Sequence, residues 1–370
     1  MRVIFCLGSL NKGGAERVVC NLANYFVDKG DDVSIVITKP CRRAYCINKK
    51  IKVVVLDHSE KKRAFRNIRR VLKLRSIIIE YKPDVIFGFL QEPIARLLVL
   101  KAFCGVVRKI PTIISVRIDP KVAFKSFKQR LFLPFYNMAE GHVFQTADAK
   151  KFFNKAIQER GVIIANPVDP SFFINSIDNK KYNNKIISVG RLTRQKNYPM
   201  LIKAFSTVHD TFPDYCLEIY GEGVLKNPLK DLINSLGLKN SVILKGTVDD
   251  LKNAISDASL FVMTSDYEGM SNALMEAMAL GLPCIVTNSA GGGAETLIKD
   301  GFNGFLVDVN DVDGLARRII EVLPDSNLLK MISRNSVESM NKYSPDIINS
   351  LWYNYAMHIC RGGSNNGKHR

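Results

Sequence analysis

Glu268 and Glu276 lie eight residues apart in the stretch Glu268-Gly269-Met270-Ser271-Asn272-Ala273-Leu274-Met275-Glu276-Ala277-Met278-Ala279-Leu280-Gly281. After Asn272 the stretch is apolar on every side, which predicts a buried helix ended by Gly281. Glu276 in its middle must bond to something, because a buried carboxylate without a partner is costly. The partner is either structural, a neighbouring Lys or backbone amide, or a ligand hydroxyl of the kind acidic residues bind on ribose in dinucleotide folds. The amides around Met270–Asn272 open this helix, and a helix N-terminus attracts phosphate. Gly190-Arg191-Leu192-Thr193-Arg194-Gln195-Lys196 supplies the opposite charge. Gly190 permits a sharp turn, Arg191 offers forked hydrogen bonds and Lys196 a point charge, which together suit a diphosphate. On its own such a loop is usually a solvated surface; the diphosphate reading depends on its sharing a crevice with Glu268. Gly221-Glu222-Gly223 and Gly291-Gly292-Gly293-Ala294-Glu295 add glycine-rich loops that let backbone approach a ligand closely. Gly13-Gly14-Ala15-Glu16 stands between an opening strand and helix but lacks the G-x-G-x-x-G fingerprint, which argues against a nicotinamide dehydrogenase.

These loops need strands to carry them. Short β-branched runs at 3–7, 33–37, 52–56, 85–88, 112–116, 143–144 and 162–165 alternate with helix-length segments such as 15–29 and 63–81. A second series at 186–189, 217–220, 242–244, 260–263, 284–286 and 305–307 repeats the alternation. The pattern predicts an α/β protein with two doubly wound, parallel-sheet, Rossmann-like domains facing one another across a cleft. Residues 1–177 form the first domain, the polar stretch 178–185 a linker, and 186–343 the second domain. A last helix at 344–361 is expected to return to the first domain, followed by a disordered tail at 362–370. The 370-residue length suits two domains, and 46% apolar with 24% charged residues is a globular composition.

No apolar run reaches the roughly 18 residues of a membrane-spanning helix, and the N-terminus reads as no signal peptide. Eight cysteines without a C-x-x-C pair indicate reduced thiols in a cytoplasmic protein, and the five histidines are too sparse for a zinc cluster. The formal charge of +18 is uneven. Residues 1–170 hold 32 Lys+Arg against 14 Asp+Glu, whereas 171–370 hold 21 of each. A basic half suggests a polyanionic partner, either nucleic acid or anionic lipid. Lys61–Arg75 concentrates eight cations and no acid, with Phe65, Ile68 and Leu72 at helical spacing. The ordinary arrangement packs that apolar stripe on the domain and leaves Arg66, Arg69, Arg70 and Lys73 as a solvated basic face; the favoured one sets the face against an anionic membrane. Nucleic acid is disfavoured, since the charge lies away from the glycine loops and the aromatics form no stacking pattern.

Taken together, the sequence resembles the family 4 glycosyltransferases, retaining enzymes of the two-Rossmann GT-B fold and here of the bacterial surface-polysaccharide type. The likeness spans nearly the whole chain. It rests on the E-x7-E pair Glu268 and Glu276, Gly190-Arg191-x4-Lys196, Gly291–Glu295 with Asp300-Gly301-x-Asn303-Gly304, and Asn166-Pro167-Val168. The resemblance implies a nucleotide-sugar donor, UDP favoured, and a polyprenyl-diphosphate-linked glycan acceptor in capsule or lipopolysaccharide assembly. It implies that Arg191 and Lys196 hold the donor diphosphate, Glu276 the ribose and Glu268 the transferred sugar. Gly190, Gly221, Gly223, Gly269, Met270, Ser271, Asn272, Gly292, Gly293 and Glu295 would complete the donor site, with Gly13 and Gly14 beside the acceptor. It implies no metal and no cofactor, and a place on the inner face of the cell membrane. Many relatives carry a His after the strand at 112–116; this chain has Arg117 there, an expected donor- or acceptor-phosphate contact. Ser271 and Ala294 stand where many relatives have Pro. Another GT-B activity, an epimerase or a phosphorylase, is the alternative within enzymes.

Overall fold

The runs 85–89 and 258–263 are buried along their whole length, as only strands covered on both faces are. The computed structural model describes residues 1–362 apart from Lys12, 42–44, 58–62, Ile118, 175–176 and 178–181. Its first sheet contains β1 (Arg2–Leu7), β2 (Asp32–Ile37), β3 (Lys52–Val55), β4 (Val85–Phe89), β5 (Thr112–Val116), β6 (Gly141–Phe144) and β7 (Gly161–Ile163), in the order β3-β2-β1-β4-β5-β6-β7. The second contains β8 (Asn183–Val189), β9 (Cys216–Tyr220), β10 (Val242–Gly246), β11 (Ala258–Met263), β12 (Cys284–Thr287) and β13 (Phe305–Val307), in the order β10-β9-β8-β11-β12-β13. Neighbouring strands in both sheets run parallel. In each, the chain builds outward in one direction and then reverses, between β1 and β4 in the first sheet and between β8 and β11 in the second. Such switch points open a crevice at the carboxyl ends of the strands.

The chain divides into two compact units, Met1–Pro167 with the segment from Pro345 onward, and Val168–Ser344. The expected linker at 178–185 is therefore misplaced. Asn183, Asn184 and Lys185 open β8, where Lys185 pairs with Cys216, and they read as linker only because the strand starts exposed. The chain before them already belongs to the second unit. Val168 donates its N–H to the Tyr343 carbonyl, and Ile174 and Ile177 pack so near Gly281 that a Cβ there would meet Ile177 Cγ2 at 3.0 Å. The tail expected at 362–370 lies, beyond Gly362, outside the described residues.

The last helix, Pro345–Cys360, belongs to the first unit because its aromatic side chains complete that core. Trp352 is fully buried and stacks on Phe89 at 5.5 Å. Tyr355 Oη accepts from the His142 N–H at 2.9 Å and donates to the Arg160 carbonyl at 2.6 Å, joining the helix to β6 and to the end of the short helix Lys155–Arg160 before β7. His142 itself is fully buried, and burial pushes its imidazole pKa down to about 3, so it is neutral at pH 7. Removing the hydroxyl takes this partner from the buried His142 N–H and the half-buried Arg160 carbonyl. Tyr355→Phe should lower the unfolding free energy of the first unit by about 1–3 kcal/mol, measured by urea denaturation; an unchanged midpoint would mean that the helix is held by its apolar contacts alone.

Candidate functional site

The second unit gathers most of the chemistry-bearing residues at the β8/β11 switch point. β8 ends at Val189 and delivers Gly190 and Arg191 into the loop after it, and a short 3-10 turn at Arg194–Lys196 raises Lys196 toward β11. Lys196 Nζ lies 2.6 Å from Glu268 Oε2, and both side chains are more than four-fifths buried. Gln195 Nε2 donates to the Tyr267 carbonyl at 2.9 Å, and Thr264 Oγ1, just beyond β11, donates to the carbonyls of Lys196 and Asn197 at 3.0 and 3.1 Å. Asn197 takes a left-handed conformation (φ 45°), and its amide bridges Asp266 and Asn310. Tyr198 Oη donates to the Gly190 carbonyl at 3.0 Å; burial first, and then the Glu268 charge, raise the pKa of its hydroxyl and keep it a donor. Arg191, by contrast, is exposed and pairs with no carboxylate among the described residues.

The glycines answer to protein rather than to open space. A Cβ on Gly221 (φ 142°) would sit 2.0 Å from the Gly190 carbonyl oxygen, and one on Gly223 2.4 Å from that of Leu192. A Cβ on Gly293 would sit 1.8 Å from the Gly269 oxygen, and one on Gly291 (φ 106°) 2.4 Å from that of Glu268. The loops after β9 and β12 thus press on the loops after β8 and β11, and the absent side chains allow backbone to meet backbone. Gly292, at φ 70°, is the residue before the helix Gly293–Leu297. Glu295 is exposed, and its carboxylate accepts from Asn288 at 2.9 Å.

The helix Asn272–Ala279 begins where its sequence indicates, with Met270 buried and Ser271 as the N-cap, its hydroxyl 3.5 Å from the Leu274 N–H. Glu276 sits in its middle and is 7% exposed. Asp311, of the Asp311-Val312-Asp313 pair, caps the helix Val312–Val322 by accepting from Gly314 N–H. No cluster of three metal-ligating side chains occurs among the described residues. The tying residues Gln195, Asn197 and Thr264 were given no role from sequence, although Gln195 lies inside the 190–196 motif, Asn197 follows it and Thr264 follows the strand run 260–263.

In the first unit, Gly13 is the N-cap of the helix Gly14–Asp28, and a Cβ on it would meet the Glu16 carboxylate at 2.3 Å. Glu16 therefore folds back over the helix start, where its charge suits the dipole and an incoming anion must compete with it. Leu90, at the β1/β4 switch point, holds φ 66° and ψ 157°, a region that side chains rarely occupy. Arg117 follows β5; its Nη2 donates to Asn166 Oδ1, which also accepts from Gln145 Nε2 at 2.9 Å.

For the helix Arg63–Tyr81 one expectation needs correction, and the ordinary arrangement set beside the favoured one does not hold. Arg70 is not on a basic surface: it is 4% exposed, and its Nη2 lies 2.6 Å from Asp57 Oδ1. Its long stem sits on the packed side with Leu74 and Ile78, which is possible because Asp57 balances the head group. Nor does the apolar stripe pack on the domain, since Phe65, Ile68 and Leu72 are 58%, 56% and 55% exposed, beside exposed Arg69 and half-buried Arg66 and Lys73. The neighbouring turn adds Phe103 and Val106, at 84% and 56%. No helix among the described residues is long and apolar enough to cross a membrane.

Residues 12–172 match the profile described as Glycosyltransferase Family 4, and residues 171–339 that described as Glycosyl transferases group 1. The chain is 28% identical over 362 residues to a Campylobacter jejuni enzyme named GalNAc-α-(1→4)-GalNAc-α-(1→3)-diNAcBac-PP-undecaprenol α-1,4-N-acetyl-D-galactosaminyltransferase, covering 95% of this chain and 97% of the relative. It is 33% identical to the Escherichia coli UDP-Gal:α-D-GlcNAc-diphosphoundecaprenol α-1,3-galactosyltransferase over 47% of each chain. Among solved structures it resembles Anabaena HepE in complex with UDP, with a TM-score of 0.77 at 19% identity over 96% of this chain and 99% of that one. Sucrose-phosphate synthase from Thermosynechococcus elongatus superposes with a TM-score of 0.80 at 16% identity, over 98% and 100%. These structures share the GT-B fold of two parallel-sheet, Rossmann-like domains.

The glycine contacts carry a prediction. Gly293→Ala forces its Cβ against the Gly269 oxygen and should cost about 1–3 kcal/mol in urea unfolding, as overpacking does. Gly105→Ala, with nothing within 4 Å, should be neutral or mildly stabilising in the same measurement.

Proposed function

We propose that this chain, which belongs to the family 4 glycosyltransferases, transfers a sugar from a UDP-sugar to a polyprenyl-diphosphate-linked glycan, with retention at the anomeric carbon and without a metal. The observation that carries the reading is the Lys196–Glu268 pair at the β8/β11 switch point, with the exposed Arg191 guanidinium on the same loop. As the sugar leaves, negative charge grows on the departing diphosphate, and fixed cations there stabilise the transition state more than the ground state. Arg191 would take the diphosphate by its fork. Lys196, held by Glu268 until the donor arrives, would share its charge between the carboxylate and the phosphate. Two cations and the amides opening the helix Asn272–Ala279 would then do the work of a divalent ion. Glu276, buried one turn into that helix, would accept from the ribose hydroxyls. Glu268 would stand at the transferred sugar, and departure and attack would use the same sugar face. UDP is favoured because relatives named for UDP-galactose and solved with UDP share the family or the fold. The lipid-diphosphate acceptor rests on the two relatives whose names include diphosphoundecaprenol or PP-undecaprenol.

In an assay of UDP release that depends on a lipid-linked glycan, Arg191→Ala and Lys196→Ala should each cut turnover about 10²-fold or more. Glu276→Ala should chiefly weaken UDP binding, and excess EDTA should leave the parent rate intact. Near-parental rates in all three variants would remove the assignment, and UDP release that needs no acceptor would favour an epimerase or another GT-B activity.

The same reading sets the first unit on the inner face of the cell membrane. Phe65, Ile68, Leu72, Phe103 and Val106 are exposed apolar side chains beside exposed cations, which suits a surface with anionic head groups over an apolar interior. Anionic vesicles should therefore sediment the protein at low salt, and high salt should release only part of it, because apolar contact is not screened. Replacing Arg66, Arg69 and Lys73 with Gln should weaken the salt-sensitive part, and Phe65, Ile68 and Leu72 with Ser the remainder. Arg70 stays untouched, since it is buried and paired with Asp57. Parental sedimentation by both variants would make this helix a solvated face.

A further inference from the structure

The connection between β2 and β3 does more than join two strands. β1 ends at Leu7 and the helix Gly14–Asp28 follows, so residues 8–13 stand at the carboxyl edge of the first sheet, beside the β1/β4 switch point where a parallel sheet opens its crevice. Gly13 is the N-cap of that helix and has no side chain with which to cap it. The phenol of Tyr45, from the β2–β3 connection, takes its backbone instead. Tyr45 Oη accepts from the Gly13 N–H at 3.1 Å and donates to the Gly13 carbonyl at 3.0 Å. The same carbonyl accepts from the Arg17 N–H at 3.0 Å, the first bond of the helix. Burial raises the pKa of the Tyr45 hydroxyl further above neutrality, so it remains a donor at pH 7.

The connection is fastened at two more points. Cys41 Sγ accepts from the Leu10 N–H at 3.0 Å. Asn24, on the helix Gly14–Asp28, donates to the Cys46 carbonyl at 3.1 Å and accepts from the Asn48 N–H at 2.9 Å. Both ties to residues 8–13 run to backbone, at Leu10 and Gly13, so the main chain itself is what they fix. On the other side of the switch point Leu90 keeps φ 66° and ψ 157°, a strain that native chains concentrate at working sites. A loop already fixed at a crevice lowers the ordering cost of any ligand that binds against it. We propose that Tyr45, on a strap anchored by Cys41 and Asn24, is a positioning residue for the acceptor: it holds the backbone at Leu10 and Gly13 in the shape that receives the lipid-linked glycan. Tyr45 acts through Gly13 and touches no substrate. The acceptor rests on the function proposed above; the strap does not.

Tyr45→Phe keeps the ring and removes both bonds to Gly13. The probe is the polyprenyl-diphosphate-linked glycan on which the parent chain releases UDP. In Tyr45→Phe its KM should rise about tenfold, as expected when the ligand must order the loop itself, and UDP affinity by titration calorimetry should stay parental. Amide hydrogen exchange at Leu10 and Gly13 should quicken in the same variant. Asn24→Ala should raise the acceptor KM as well; Asn24 lies roughly 16 Å along the helix axis from Gly13, so its effect reaches the loop through the strap. Tyr355→Phe, which weakens the same unit at β6, is the control and should keep its acceptor KM. A parental acceptor KM in Tyr45→Phe and Asn24→Ala overturns the proposal, as does a rise that Tyr355→Phe reproduces, or unaltered exchange at Gly13. A tenfold loss of UDP affinity in Tyr45→Phe would assign the loop to the donor and overturn the acceptor part. Failure of the function proposed above would surface separately, as a parent chain that releases no UDP with any such glycan, and would remove the acceptor role whatever the exchange shows.

Discussion

The second unit is organised around one contact, the ion pair between Lys196 and Glu268. It joins the loops on either side of the point where the strand order reverses, and everything near it works to keep those loops in place. Thr264 binds the carbonyls of Lys196 and Asn197, Gln195 reaches the Tyr267 carbonyl, and Tyr198 holds the Gly190 carbonyl. Glycines after β9 and β12 then allow two further loops to close on the same backbone. A pair buried to this degree gains from a low local dielectric but loses its hydration, so it persists only where neighbours satisfy its remaining atoms. Gln195 and Ser265, each 3.4 Å from Glu268 Oε2, lie in position to do so. The consequence is preorganisation: the charges at this crevice are already fixed in space.

The first unit handles its charge differently. Its excess of cations is not uniform surface. Arg70, Arg96 and Lys101 are buried and balanced by carboxylates, and they are structural. Arg117 donates to the neutral amide of Asn166. Arg69 stands outside with Phe65, Ile68 and Leu72. The net charge thus separates into cations that hold the fold, a cation without a balancing carboxylate at the carboxyl edge of the sheet, and a mixed basic and apolar face.

Much of this was legible in the chain. Alternating β-branched runs and amphipathic segments announced two parallel sheets, because a strand covered by helices on both faces must be apolar throughout. The Asn272–Ala279 helix and its buried Glu276 follow from local pattern alone, since periodicity acts within a few residues. The motif residues 190–196 and 268–276 also declared themselves by type and spacing. The linker did not: Asn183-Asn184-Lys185 is polar because β8 starts exposed, and polarity alone does not separate a strand end from a loop.

What only the tertiary structure decided is which residues meet. Lys196 and Glu268 are 72 residues apart, and only the strand order β8-β11 makes them neighbours. The glycines of 221–223 and 291–293 advertise close approach, but what approaches is the backbone of residues 190–192 and 268–269, a fact of loop packing that no local signal contains. Along Arg63–Tyr81 the 3.6-residue period gives the stripe Phe65, Ile68 and Leu72 but not its direction. The inward side was instead taken by Leu74, Ile78 and Arg70, because Asp57 stood ready to balance the guanidinium. Sequence determines the chemistry each residue carries and the element it sits in, because those depend on near neighbours along the chain; which charge finds a partner, and which is left waiting for one, depends on contacts that exist only once the sheets have formed.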